Sequence, residues 1–323
     1  MIERWIVVGG CPRSGTTLVG NALGAAENAI VTPEAQFASE ALAAIASGTL
    51  PPDPREIIAF IAGHWRFRIW NAPIPVTWPD LTGAQSGLRM SGAAMCAAIL
   101  GRIVSDYARH VGKPDARVWI DHTPEHLRAI PVLATSGFDL CGVHVLRDGR
   151  GVAASMKAVD WGPRDAAALA EWWLARIAEG FAAERLLGAK AATVRFEDVL
   201  AEPETALRRL CGALGLEYSE AMPISRALRV VDYTRAQHRF VGRRPDPARA
   251  EAWKTALSAR EQEVFESIAG PALALLGYPR GFAAPQPPGR VERVGTWLVH
   301  NPVRRRWIKH VRLRRRAAFL DQR

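Results

Sequence analysis

Apolar residues alternate along this chain between two rhythms. Short continuous runs closed by glycine or charge, "WIVVGG" at 5–10, "RVWID" at 117–121, "DLCGVHVL" at 139–146 and "KAATVRF" at 190–196, read as strands buried on both faces. Between them apolar positions recur every three or four residues, as Leu18, Ala22 and Ala25 or Ala26 do in "TTLVGNALGAA", which reads as helix. Strand alternating with helix predicts an α/β fold with a parallel sheet and crossover helices. Residues 38–111 break the alternation: helix-rich, interrupted by prolines at 51–54 and 73–79, and carrying "HWRFRIW". This segment is expected to cover the sheet and shape a pocket, with plain packing an equal role for Trp65 and Trp70.

Local signals set the later boundaries. "EDVLAEPETALRRLCGALGL" reads as an acidic turn followed by an amphipathic helix that closes at Gly215. Ser258 with Glu261 three residues on forms a capping-box pattern opening the last helix of the body, over 258–278. The proline-bearing stretch "AAPQPPG" at 283–289 then separates a domain over 1–282 from a tail over 283–323.

Composition narrows the class. The chain has 323 residues, half of them apolar, enough for a sizeable core and too apolar for a disordered protein. No apolar run reaches the roughly 18 residues of a membrane span, and a strand begins by Trp5 where a leader would have its charged region, so a cytoplasmic location is expected. Cys11, Cys96, Cys141 and Cys211 lie far apart with no C-x-x-C pair, which argues against a zinc site or a disulfide framework. The formal charge of +10 is concentrated: residues 285–323 hold eleven Lys and Arg against two acids, +9 in all. Basicity therefore belongs to the tail, and no nucleic-acid partner is expected of the body.

The chemistry begins where the first strand ends. "GGCPRSGTT" matches the glycines of the Walker pattern with Gly10 and Gly15, yet Thr16 stands where the lysine belongs. A glycine-bearing turn at a helix N-terminus binds phosphate through backbone N–H groups and the helix dipole, and the hydroxyls of Ser14, Thr16 and Thr17 add to it. Arg13 supplies a permanent, forked cation in place of the lysine. No metal is expected, because the lysine and magnesium of an NTPase serve a β,γ-phosphate. A second strand–turn–helix, "VLRDGRGVAASM", puts Arg147 at a strand end and Ser155 in the helix, a clamp for one anion from two elements. Asp148 and Arg150 there are expected to shape the turn and pair with each other.

"PRSGTTLV", "LRDGRGVAASM" and "VRFEDVLAEPETALRRLCGALGL" together resemble the sulfotransferase family that uses 3'-phosphoadenylyl sulfate (PAPS). The likeness is to the branch with an arginine in the first loop, that of the tyrosylprotein sulfotransferases and bacterial relatives, and it spans roughly residues 5–280. It implies a three-layer α/β/α, P-loop NTPase-like fold and a hydroxyl acceptor such as a sugar, glycolipid or small metabolite, with PAPS as co-substrate and adenosine 3',5'-bisphosphate (PAP) as product. Carried over residue by residue, Arg13, Ser14, Gly15, Thr16 and Thr17 form the 5'-phosphosulfate site, and Arg147 and Ser155 the 3'-phosphate site. Arg13 then faces the bridging oxygen, and Glu34 in "IVTPEAQF" is the expected base for the acceptor proton. His122 in "WIDHTPEHL" stands where relatives usually have lysine; it is a second candidate proton acceptor, oriented by Asp121, or a structural histidine. Phe196 replaces a common tyrosine and leaves a stacking surface. "VGRRPDPARAEAWKTALS" resembles the loop that closes over the nucleotide and offers Arg243, Arg244 and Lys254 as further 3'-phosphate contacts.

Two other readings stay open: a P-loop kinase or nucleotidase using Arg13 for the Walker lysine, and a non-catalytic anion- or membrane-binding module on the same fold. No acidic strand end suited to magnesium stands out in the sequence, which argues against the first. In the tail, Val299, Val303, Trp307 and Val311 recur every four residues amid arginines. Such a basic amphipathic helix reads either as peripheral attachment to an anionic membrane surface or contact with an anionic polymer, or as a helix docked on the body through Trp307.

Overall fold

The computed structural model describes residues 1–74, 90–235, 237–238, 240–290, 292 and 302–321. Five parallel strands form one sheet: β1 (Arg4–Gly10), β2 (Ala29–Thr32), β3 (Val118–Asp121), β4 (Asp139–Leu146) and β5 (Ala191–Arg195), in the order β2-β3-β1-β4-β5. β1 is central; Val7 lies level with Asp121 of β3 and with Gly142 of β4. Its side chains alternate between two cores. Trp5 and Val7 pack with Trp119 and Leu140 on one face, while Ile6 and Val8 pack with Ile120 and Val143 on the other. With both faces dry, no polar alternation survives along these strands, which is why they appear as unbroken apolar runs. Trp5 stacks on Trp119 with ring centroids 4.1 Å apart.

Helices cover both faces and complete the α/β/α sandwich. The Trp5 face is covered by α2 (Gln36–Ala46), α3 (Pro54–Gly63), the single-turn α4 (Trp65–Arg68) and α5 (Gly92–His110). Pro54 opens α3 behind Asp53, whose side chain accepts from the N–H groups of Arg55 and Glu56. The proline cluster that starts at Pro73 lies mostly outside the described residues. α1 (Thr16–Leu23), α8 (Phe196–Ala201) and α9 (Pro203–Leu214) cover the Ile6 face. α6 (Gly149–Met156), α7 (Ala166–Leu187) and α10 (Ala259–Leu275) share a third core around Trp173 and Phe265.

Helix ends follow their local chemistry. Gly215, at φ 62°, ends α9 in the left-handed conformation. Ser258 and Glu261 make both hydrogen bonds of the capping box on α10. α10 stops at Leu275, short of the expected 278, because the chain reverses at Gly277 with φ 75°. All four cysteines are free and buried.

The tail ends in a helix, α11 (Pro302–Asp321), and its end rests on the body. Leu320 is buried with Ile69 and Val231, and Phe319 meets Tyr233 with ring centroids 5.3 Å apart. Val299 and the side chains of Val303 and Trp307 lie outside the described residues. The described row turned to the body is Arg312, Arg316 and Leu320, one position along from the expected row, because the apolar pair Phe319–Leu320 supplies the anchor. Among the described residues no helix is long and apolar enough to cross a membrane.

Candidate active site

The loop after β1 turns tightly into α1. Arg13 (φ 75°) and Gly15 (φ 99°) both adopt left-handed backbone, and a Cβ on Gly15 would stand 2.4 Å from the Phe196 ring. Only glycine fits there without displacing that ring. No side chain caps α1, so its first N–H groups lack intrahelical partners and form a ready anion site. Ser14 Oγ is buried beside them without a hydrogen-bond partner among the described residues, a vacant polar atom in the cradle that suits a phosphate-like oxygen.

The end of β4 delivers the second half of this cradle. Arg147 donates from Nη1 to the Arg13 carbonyl at 2.6 Å, and Arg13 donates from Nε to Ser155 Oγ of α6 at 3.1 Å. The Arg147 guanidinium lies 4.4 Å from the Phe196 ring centroid, while that of Arg249 lies 5.8 Å from the same ring and 3.9 Å from Phe240. Burial, reinforced by the like charges of Arg249 and Arg13 and opposed by Glu197, pushes Arg147 down to about 10. Burial likewise lowers Arg13, against the pull of Glu34. Three guanidiniums, those of Arg13, Arg147 and Arg249, line the cleft here beside the uncapped start of α1.

Arg13, Gly15, Thr16, Thr17, Glu34, Arg147 and Ser155 line one cleft of about 460 Å³. It opens at the carboxyl ends of β1, β2 and β4, where ligands bind in open parallel sheets. Glu34 follows β2 and is held from several sides. Its carbonyl accepts from Trp70 Nε1 at 3.2 Å, and its carboxylate takes Arg66 Nη2 at 2.7 Å and Gln36 Nε2 at 3.1 Å. Burial alone would raise this carboxyl; Arg66 first, then His122 and the Gln36 hydrogen bond, outweigh it and keep Glu34 below the usual carboxylate range. Trp65 lines the cleft, whereas Trp70 is fully buried against Phe37 and Tyr107.

Other expected residues are placed differently. His122 is buried beneath the cleft, its Nδ1 3.5 Å from Thr17 Oγ1, and it borders a small void behind Glu34 and is not part of the cleft's lining. Burial lowers its pKa against the pull of Glu34 and Asp121. Asp121 does not orient it: that carboxylate accepts from the Thr123 N–H and hydroxyl and pairs with His126 Nδ1. Asp121 is the acidic strand end that the sequence did not reveal, and it is committed inside the fold. Arg243 and Arg244 are exposed and outside the cleft, Arg244 paired with Glu204 at 2.7 Å, and Lys254 pairs with Glu251. Arg249, five residues beyond Arg244, lines the cleft instead. Asp148 and Arg150 do pair, and buried Arg150 also reaches Glu266 at 2.6 Å.

Residues 6–220, more than half of the chain, match the family model described as "Sulfotransferase family". The chain belongs to the sulfotransferase family. Its fold is similar to the sulfotransferase domain of the curacin biosynthetic pathway, at 15% identity and a TM-score of 0.52, covering 87% of this chain and 99% of that one. It is similar too to the sulfotransferase domain of the Synechococcus PCC 7002 olefin synthase, at 18% identity and a TM-score of 0.55, covering 86% and 95%. No curated protein matches the chain.

The cleft also holds groups that sequence reasoning passed over. Glu125 lines it with a buried carboxylate oxygen lacking a partner among the described residues, and burial and Glu34 raise its pKa. The signal was present: Thr-Pro-Glu occurs twice, at 32–34 and 123–125, after the adjacent strands β2 and β3. The Ala35 N–H donates to Thr123 Oγ1 at 2.8 Å and ties the two copies together. His238 also lines the cleft, pushed down to about 4 by burial and then by His122. Arg312 and Arg316 of α11 complete the wall.

Proposed function

We propose that the protein moves a sulfuryl group from PAPS to the hydroxyl of a sugar, glycolipid or small metabolite and releases PAP. The observation that carries this reading is the convergence of Arg13, Arg147 and Arg249 beside the uncapped start of α1. A cradle of that charge suits a ligand with two anionic groups, as PAPS has at its 5' and 3' positions. The loop N–H groups with Ser14, Thr16 and Thr17 take the 5'-phosphosulfate. Arg147 and Ser155 take the 3'-phosphate, with Arg249 rather than the exposed Arg243 or Arg244 beside them.

In the reaction the acceptor oxygen forms a bond to sulfur in line with the breaking bond between sulfur and the bridging oxygen. Arg13 stabilises the charge that gathers on that oxygen, which departs as part of PAP. Glu34, ionised and fixed by Arg66, Gln36 and Trp70, receives the acceptor proton. His122 serves as support under Thr17 and α1, consistent with its burial outside the cleft.

Sulfuryl transfer from PAPS, followed together with PAP binding by calorimetry, tests the assignments. Arg13→Ala is expected to lower the rate by at least about 10²-fold while keeping most PAP affinity, as loss of an oxyanion donor does. Arg147→Ala is expected to lose PAP binding. Full turnover in Glu34→Gln would remove Glu34 as the base.

A further inference from the structure

α11 contributes charge to the cleft as well as an apolar anchor. One turn before Leu320, the Arg316 guanidinium lies 4.5 Å from the Trp65 ring centroid, and Arg66 lies 4.2 Å from the same ring. Arg312, one further turn back, lines the same cleft. Of these three cations Arg66 is committed to Glu34. Burial is the main influence on Arg316 and disfavours its charge; of the described groups acting on it, the Tyr233 phenol favours the charge, Arg312 and Arg66 repel it, and none is a carboxylate.

Contacts order the cleft from end to end. Arg249, Phe196, Arg147, Ser155 and Arg13 form the cradle end. Glu34, Arg66, Trp65 and Arg316 run the other way. A molecule whose hydroxyl sits between Arg13 and Glu34 therefore extends along Trp65 toward Arg316 and Arg312. With no carboxylate acting on Arg316 among the described residues, these guanidiniums are forks for a planar or tetrahedral anion, and the Trp65 and Tyr233 rings offer it a flat apolar neighbour.

We propose that this end of the cleft, built by α4 and α11, recognises an anionic group, carboxylate or phosphate, carried by the acceptor at a distance from its hydroxyl. The word acceptor rests on the sulfuryl-transfer reading; the anion site does not. α11 is thus a specificity element of the cleft, and acceptors with a negative group and an adjoining flat apolar portion are the class selected.

The test uses the full chain, saturated with PAP so that the cradle is filled, and titrates it with phenyl phosphate or with the neutral phenyl β-D-glucoside while thermal unfolding is followed. Phenyl phosphate is expected to raise the melting temperature with the logarithm of its concentration, and the glucoside is not. Arg312→Gln/Arg316→Gln is expected to weaken phenyl phosphate by about tenfold or more, and Arg312→Lys/Arg316→Lys to retain part of the response. Equal phenyl phosphate binding by wild type and the Gln variant overturns the proposal, as does a glucoside that binds as well as the phosphate. If PAP itself produces no shift but phenyl phosphate still separates wild type from the Gln variant, the anion site stands and the donor assignment falls.

Discussion

Glu34 keeps its charge because Arg66 stands 2.7 Å from it; burial alone would push the carboxyl the other way. Removing the guanidinium leaves desolvation opposed only by weaker partners. Arg66→Ala is therefore expected to move the acid limb of the kcat/KM profile upward by about 1 pH unit or more. An unmoved limb would show that Glu34 is not the titrating group. Glu125 is the counterpart: its folded pKa is raised, so its stabilising contribution is present in acid and is lost as pH rises through that value. Glu125→Gln is expected to melt higher than wild type near pH 8 and equally with it near pH 4; a lower melting temperature at pH 8 would contradict this. At this scale the sequence was readable where a motif sits on one continuous strand–turn–helix. Arg13, Arg147 and Ser155 meet because two such units adjoin in the sheet. Arg249 was hidden, since its approach depends on how an irregular segment folds over the cleft and no periodicity records that, whereas Glu125 could be read only through the repeated Thr-Pro-Glu.

Among elements, β4 occupies 139–146 as its apolar run predicts, and both glycine and serine signals end or begin helices where expected. The tail shows the limit of periodicity. Its basic, four-residue repeat fits a free amphipathic helix equally well, and what decides is the pair Phe319–Leu320 finding Ile69, Val231 and Tyr233. Leu320→Ala is expected to cost about 2 kcal/mol in unfolding by denaturant if α11 unfolds with the body. No change in stability would mean that the helix end does not stay docked.

The molecule as a whole buries neutral imidazole next to its cleft. His238, usually near 6.5, is pushed down to about 4, and His122 is lowered as well. Between those values His238 holds more proton in the unfolded chain than in the folded one, so its contribution to stability falls as pH drops from about 6.5 toward 4. His238→Gln is expected to flatten that slope in melting curves, and an unchanged slope would assign it elsewhere.

The central claim is that the cradle at β1 and β4 reads a nucleotide bearing a 3'-phosphate. Thermal unfolding with PAP, AMP and ATP plus magnesium tests it most directly. The account predicts a melting temperature that climbs with the logarithm of PAP concentration and responds weakly to the other two. Stabilisation by ATP plus magnesium with none by PAP would contradict it.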